Sequence, residues 1–243
     1  TNDAVFQPLR SWGFDSCCVV PSEGRSGGLG VFWRTSEIGA SVLAIERQLI
    51  HLECLIPGIP AFKLTAVYGI PHSNLREQLW NSLLNFSASI TRPWVVYGDF
   101  NDILSSQERI GGVRCNHRRI NWFNNQVRGC GLSDLGSLGP RFTWRGPLLR
   151  GCDRLYERLD RALGNNLFLA QVENYVVKVL PRTRFLDHNP LLLSFLSDLR
   201  RPRPKHFKFE AMWLFHDSFD TFLLVAGGMK LSFWNPWGRF IPL

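Results

Sequence analysis

Apolar and polar residues alternate through much of the first half of the chain, and that period of two predicts strands. "GGLGVFWR" (27–34) opens after the turn-forming "SEGRSGG". "RQLIHLECLI" (47–56) sets Leu49, His51 and Glu53 on one face and Ile50, Leu52 and Cys54 on the other. "AFKLTAVYGI" (61–70) turns Phe62, Leu64, Ala66 and Tyr68 one way. Pro57, Gly58 and Pro60 punctuate the join between those two runs, which predicts an antiparallel hairpin. A helix is expected next, capped by Asn74 with Glu77 answering in a capping-box-like arrangement. Its inward stripe is Leu75, Leu79, Leu83 and Phe86. "PWVVYGDF" returns to strand. "HRRINWFNNQVRGCG" (117–131) reads as helix, with Ile120, Phe123 and Val127 inward and Gly129 or Gly131 ending it. Short strands follow in "RFTWRG", "ERLDRAL", "YVVKVLP" and "NPLLLSFL".

Many strands, two or three helices and several hairpins predict an α/β chain (α+β in its ordering) of two packed sheets with helices outside. Pro202 and Pro204 close that domain, so residues 1–199 form one unit and 200–243 a linker, a short helix in "HFKFEAMWLFHDSFDTFLL" and a poorly ordered tail.

Composition narrows the class. Of the 243 residues 45% are hydrophobic and 20% charged, ordinary for a globular fold. No window is apolar and long enough to span a bilayer, and "TNDAVFQPLR" lacks the pattern of a signal peptide. The six cysteines show no C-x-x-C pair and no regular framework, so they read as reduced, which fits nucleus or cytoplasm. The net charge of +8 is carried mainly by arginine clusters: "HRRI" (117–120), then Arg141, Arg145, Arg150, Arg154, Arg158 and Arg161, then "RRPRPK". Guanidinium forks suit phosphate oxygens, so a polyanion such as nucleic acid leads the list of partners, beside a plain basic surface. Arg118, Arg119, Arg141 and Arg145 are the candidates for nucleic-acid contact.

Candidate chemistry begins at "WVVYGDFND". Asp99 and Asn101 close an apolar strand, and Gly98 lets the backbone turn or approach a ligand. An acid and an amide held there can fix a water or a hard metal ion, although G-D-x-N-D is also ordinary turn chemistry. "FLDHNPLLLSF" sets Asp187 and His188 ahead of another apolar strand, and histidine suits proton traffic near neutrality. Asp160 in "RLDR" either belongs to a surface ion-pair ladder or orients His188. Tyr68, at the end of its strand, is either packing or a phosphate contact.

In order, Tyr68 at a strand end, "GDFN", "FTW", "RLDR" and "DH" before a proline resemble the endonuclease/exonuclease/phosphatase superfamily. More narrowly they resemble the apurinic-type endonuclease domain of plant LINE-type non-LTR retrotransposons. The resemblance runs from "SEGRSGGLGVFW" through "FKFEAMWL". It implies a four-layer α/β sandwich that cleaves phosphodiesters with Mg2+ (or Mn2+). By resemblance Asp99 activates the attacking water and Asn101 helps hold it or the phosphate. Asp187 serves the metal and acid network, His188 contacts the scissile phosphate, Asp160 orients His188, and Tyr68 touches the phosphate or leaving group. The implied partners are DNA and a reverse transcriptase domain in the parent polyprotein, with the endonuclease itself monomeric and not membrane-bound. The implied role is nicking DNA for target-primed reverse transcription.

Two departures stand out. Leu186 occupies the position of the family's serine before Asp-His. The family's first strands, which carry an Asn and the principal metal-binding Glu, have no counterpart, since the chain starts "TNDAVF". Asp15 and Glu23 are the nearest acidic substitutes, and both read as loop. An N-terminally truncated domain lacking its first strands is therefore expected, and a catalytically inactive remnant that still binds nucleic acid is the alternative. A phosphatase acting on small phosphates is a third reading, disfavoured by the arginine excess.

Overall fold

The computed structural model describes residues 9–22, 28–112, 115–148, 153–182 and 186–195. Glu23 and the expected linker, helix and tail over 200–243 lie outside them. In chain order the strands are β1 (Ser16–Val20), β2 (Leu29–Trp33), β3 (Gly39–Glu46), β4 (Leu49–Leu55), β5 (Phe62–Tyr68), β6 (Trp94–Asp99), β7 (Arg109–Ile110), β8 (Leu132–Asp134), β9 (Trp144–Arg145), β10 (Tyr156–Glu157), β11 (Asp160–Asn165), β12 (Tyr175–Val179) and β13 (Leu191–Phe195). The helices are α1 (Ser73–Ser89), α2 (His117–Gly129) and α3 (Asn166–Gln171).

A six-stranded sheet, β3-β4-β5-β6-β11-β8, forms the centre. β4 and β5 make the antiparallel hairpin that Pro57–Pro60 announces, pairing Leu52 with Leu64. β5 and β6 run parallel because α1 carries the chain back across the sheet, the connection that parallel strands require. β6 and β11 are antiparallel again. Both faces of this sheet are covered, and that is why β6 is an uninterrupted apolar run rather than an alternating one.

On one face lie α1 and α2. Leu79, Trp80 and Leu83 of α1 and Phe123 and Val127 of α2 pack on Leu49, Val67, Trp94, Val96 and Leu163. Trp80, Phe100 and Phe123 pack together with ring centroids 5.6–5.9 Å apart, Trp80 stacked on Phe100 and edge-on to Phe123. Each fully buried Phe of this kind contributes about 1.5–3 kcal/mol. Ile120, Phe123 and Val127 are the buried positions of α2, the three that its period selects. α1 departs from its expected start: His72 is the N-cap residue, without a side-chain cap bond, and Asn74 lies inside the first turn. Pro71 explains the shift, because the chain leaves β5 in extended form up to the proline and can turn helical at once beyond it.

The second β layer covers the opposite face and consists of two separate two-stranded ladders, β1-β2 and β12-β13. β1-β2 packs over Ile50, Leu52, Cys54 and Phe62. β12-β13 and α3 pack over Val95 and Ala162. Leu64 and Phe195 belong to both clusters and join them. The whole is the mixed α/β sandwich expected. A small third ladder, β7-β10-β9, stands beside the C-terminal end of β6. The cysteines at 17, 18, 54, 115 and 130 are unpaired. No described helix is long and apolar enough to cross a membrane.

Candidate active site

Strand register builds the site. Tyr68, the last residue of β5, pairs in register with Asp99, the last residue of β6. Asp99 in turn lies opposite Asp160, the first residue of β11. Side chains alternate along a strand, and Val95 and Ala162 face the hairpin layer. Asp99 and Asp160 share parity with them and so point the same way. Leu64 sets the same face for Tyr68. Arg161 faces oppositely: its guanidinium carbon stands 5.4 Å from the Phe123 ring centre on the helix side.

The β6 terminus is shaped by its backbone. Gly98 has φ +141°, and a Cβ there would meet the Val67 carbonyl oxygen at 2.1 Å. Asn101 has φ +49°, a left-handed conformation that Asn tolerates better than most residues. Asp99 Oδ1 accepts from the Asn101 backbone N–H at 2.8 Å, and Oδ2 accepts from Asn101 Nδ2 at 2.9 Å. Asn101 Nδ2 donates also to the Gly69 carbonyl at 2.7 Å. Both amide hydrogens of Asn101 are thereby used, which leaves its Oδ1 to accept from a water.

His188 arrives just ahead of β13 and completes the group. Its Nδ1 lies 2.8 Å from Asp160 Oδ2. A carboxylate only accepts, so Nδ1 carries the proton and Nε2 faces outward. Asp160 is itself fixed by Thr143, fully buried, whose Oγ1 accepts the backbone N–H groups of Leu159 and Asp160, each at 2.9 Å. Thr143 also ties His188 into place, since its carbonyl accepts from Asn189 N at 2.6 Å. One ligand atom from each of Asp99, Asp160 and His188 lies within 4.8 Å of the others.

Electrostatics follow from burial and from the pairing of like charges. Burial first, then the neighbouring Asp160 carboxylate, pushes Asp99 up to about 6. Desolvation pulls His188 down, but the Asp160 hydrogen bond and charge, with Asp99 and Asp187 behind, outweigh it, so His188 rises above its ordinary value. Among the described residues no lysine or arginine bonds directly to either of these two crowded carboxylates, and His188 on Asp160 is the cation in contact. That donor set fits a hard divalent cation, which takes oxygen ligands.

The remaining sequence candidates fall as follows. Asp187 is exposed, accepts from Trp144 Nε1 at 3.2 Å, and stands outside the three-residue group. Arg118 is exposed on α2. Arg119 is turned onto the buried Asp102, Nη2 to Oδ2 at 3.0 Å, with Nε on Oδ1 as well. Arg141 is exposed, its guanidinium 5.5 Å from the Phe142 ring centre. Arg145 is on β9, its backbone N–H donating to the Asp187 carbonyl at 3.0 Å. Asp15 caps Thr35 through two 2.8 Å bonds and takes no part in the site. Leu186 is half exposed to solvent. Three contributors escape the sequence reading. Thr143 was visible only as the middle of "FTW", Asp102 only as the closing acid of "WVVYGDFND", and Arg76 carried no signal beyond its charge.

Comparison with known proteins bears on the family and the fold. The model of the Endonuclease/Exonuclease/phosphatase family matches residues 2–198. A 3' phosphatase from Neisseria, NExo, solved with a product DNA hairpin, superposes with a TM-score of 0.55 at 20% identity, covering 78% of this chain and 82% of its own. The endonuclease domain of TRAS1, a telomere-specific non-LTR retrotransposon, gives 0.55 at 14% identity, covering 79% and 90%. A family protein from Leptotrichia buccalis gives 0.51 at 12%, covering 79% and 76%. A search of curated proteins found no match.

Proposed function

The chain belongs to the endonuclease/exonuclease/phosphatase family, whose members are hydrolytic nucleases and phosphatases, and we propose that it hydrolyses phosphodiesters of DNA with a divalent cation. The observation that carries this is the convergence of Asp99, Asp160 and His188, with Asn101 bonded to Asp99, at the ends of adjacent strands. The carboxylates of Asp99 and Asp160 would hold Mg2+ or Mn2+, which when bound neutralises charge on the non-bridging oxygens and favours an ionised water.

The residues of the chain supply the rest. Asn101 Oδ1 would accept one hydrogen of the attacking water, and Asp99 would take the other as the water oxygen bonds to phosphorus. The bond from phosphorus to the departing sugar oxygen breaks, and that oxygen takes a proton from solvent while Asp99 returns its own to water, giving a phosphate monoester and an alcohol. His188, protonated and held by Asp160, presents Nε2–H to a non-bridging oxygen where charge accumulates. Tyr68, in register with Asp99, would touch the same phosphate.

The finer reading is the endonuclease of a plant LINE-type non-LTR retrotransposon, nicking DNA for target-primed reverse transcription beside a reverse transcriptase of the parent polyprotein. Its supports are the net charge of +8 and the likeness of fold to a retrotransposon endonuclease. The domain is read as monomeric and at work in nucleus or cytoplasm. A second reading, an inactive remnant that binds nucleic acid, is favoured by one observation: among the described residues the metal-ligating group is two aspartates and a histidine, with no glutamate.

Supercoiled-plasmid nicking with and without Mg2+ separates the two. Magnesium-dependent nicking that Asp99→Ala abolishes supports the enzyme; nicking that survives Asp99→Ala overturns the site. DNA binding without nicking, falling steeply with salt, supports the remnant.

A further inference from the structure

We propose that Arg76, a buried guanidinium on α1, is a positioning residue for Asn101. The inference rests on the reading of Asn101 as part of the hydrolytic site. Arg76 is 3% exposed, and its Nη1 donates to the Asn101 carbonyl at 2.6 Å. Its Nε stands 3.3 Å from Asp102 Oδ2, close enough for ion pairing but without hydrogen-bond alignment. Asp102 is itself buried, and Arg119 of α2 grips it through Nε and Nη2. One guanidinium thus spans the residue that needs a left-handed backbone and the buried carboxylate that follows it.

The geometry gives this buried cation a role through the backbone of Asn101. Asn101 holds φ +49° with its carbonyl against the buried Arg76 guanidinium. An unpaired buried carbonyl would favour relaxation of that φ, and relaxation would swing the Asn101 amide off Asp99 and Gly69. The Arg76 hydrogen bond removes that incentive. Asp102 in turn neutralises Arg76 and fixes its orientation, tying both helices to the Asp99–Asp102 turn. Because Arg76 is buried, it cannot contact DNA. Its influence must therefore appear in turnover and in the rigidity of Asn101, and leave substrate binding alone.

The test compares Arg76→Lys and Arg76→Met with the wild-type full chain. Lysine keeps a charge opposite Asp102 but loses the fork that reaches two groups at once. Amide hydrogen exchange at Asn101, whose N–H is held by Asp99, is expected to quicken severalfold in Arg76→Lys and more in Arg76→Met. Exchange at Leu52 and Val96 in the sheet should stay unchanged. In plasmid nicking kcat is expected to fall roughly tenfold or more, with KM for DNA within twofold. Unchanged Asn101 protection in Arg76→Lys, or a uniform loss across the sheet amides, overturns the proposal. If Arg76→Met does not fold, Arg76→Lys decides alone. Absence of nicking by the wild-type chain sinks the hydrolytic reading instead, while the exchange measurement still judges Arg76.

Discussion

Asp99 and Asp160 are cross-strand partners, directly opposite each other where β6 meets β11, with both carboxylates on the hairpin side of the sheet. Like charges set opposite one another weaken a ladder. Among the described residues this is where a cation would relieve that penalty.

This arrangement predicts a pH dependence of stability. Asp99 is raised from its ordinary 3.8 to about 6, so between those values the folded protein holds a proton that the unfolded chain has released. Stability from this group therefore falls as pH rises from about 4 to about 6. His188 is raised above 6.5, so its contribution is complete below that value and is lost as pH rises through its folded value. A divalent cation answers the Asp99 charge, and its thermal stabilisation should be larger at pH 7.5 than at pH 4.5. Equal shifts at both pH values in a Tm titration with Mg2+ would contradict this origin.

Asp160→Asn should separate orientation from charge. The amide can still meet the imidazole, but the carboxylate that favours the cation is gone, so the alkaline limb of the nicking profile should move to lower pH. A fall in kcat of about 100-fold is expected alongside. An unmoved limb would show that Asp160 does not govern His188.

Thr143→Val tests the support beneath Asp160. Valine matches threonine in shape but leaves the Leu159 and Asp160 N–H groups without their acceptor. Stability should fall by about 2 kcal/mol or more, with kcat reduced, and Thr143→Ser should recover most of both. A valine variant as stable and active as wild type would exclude the hydroxyl as the support of Asp160.

Gly98→Ala probes the close approach of β5 to β6. The added Cβ would meet the Val67 carbonyl in a backbone conformation that alanine avoids. A loss on the order of 3 kcal/mol is expected, lowering Tm by roughly 6–12 °C. A variant melting within a degree of wild type would exclude the clash.

Sequence periodicity revealed the parts with strong contrast between faces or clear punctuation. The β4-β5 hairpin and the inward residues of α2 belong here. β3 escaped because it is an edge strand with a bulge between Val42 and Ala44, and Val42, Leu43 and Ile45 are all exposed. Its apolar residues follow no single face. β1 and α3 were missed as well, both short. "ERLDRAL" reads as one strand but divides between β10 and β11, and Thr143 Oγ1 takes the N–H of Leu159 at the break. The site residues were legible as motifs because polar groups end apolar strands. Arg76 and Asp102 were not, since nothing in a sequence distinguishes a buried charge from a solvated one.

The row Tyr68, Asp99, Asp160 is written into strand pairing rather than carried on a mobile loop. A slip of β11 by a single residue would exchange Asp160 for Arg161, replacing carboxylate with guanidinium and pressing an acid against Phe123. A misthreaded molecule would therefore lose its fold and its chemistry together. Correct assembly of the sheet acts as a proofreading step, and a partly wrong copy should be inert rather than promiscuous.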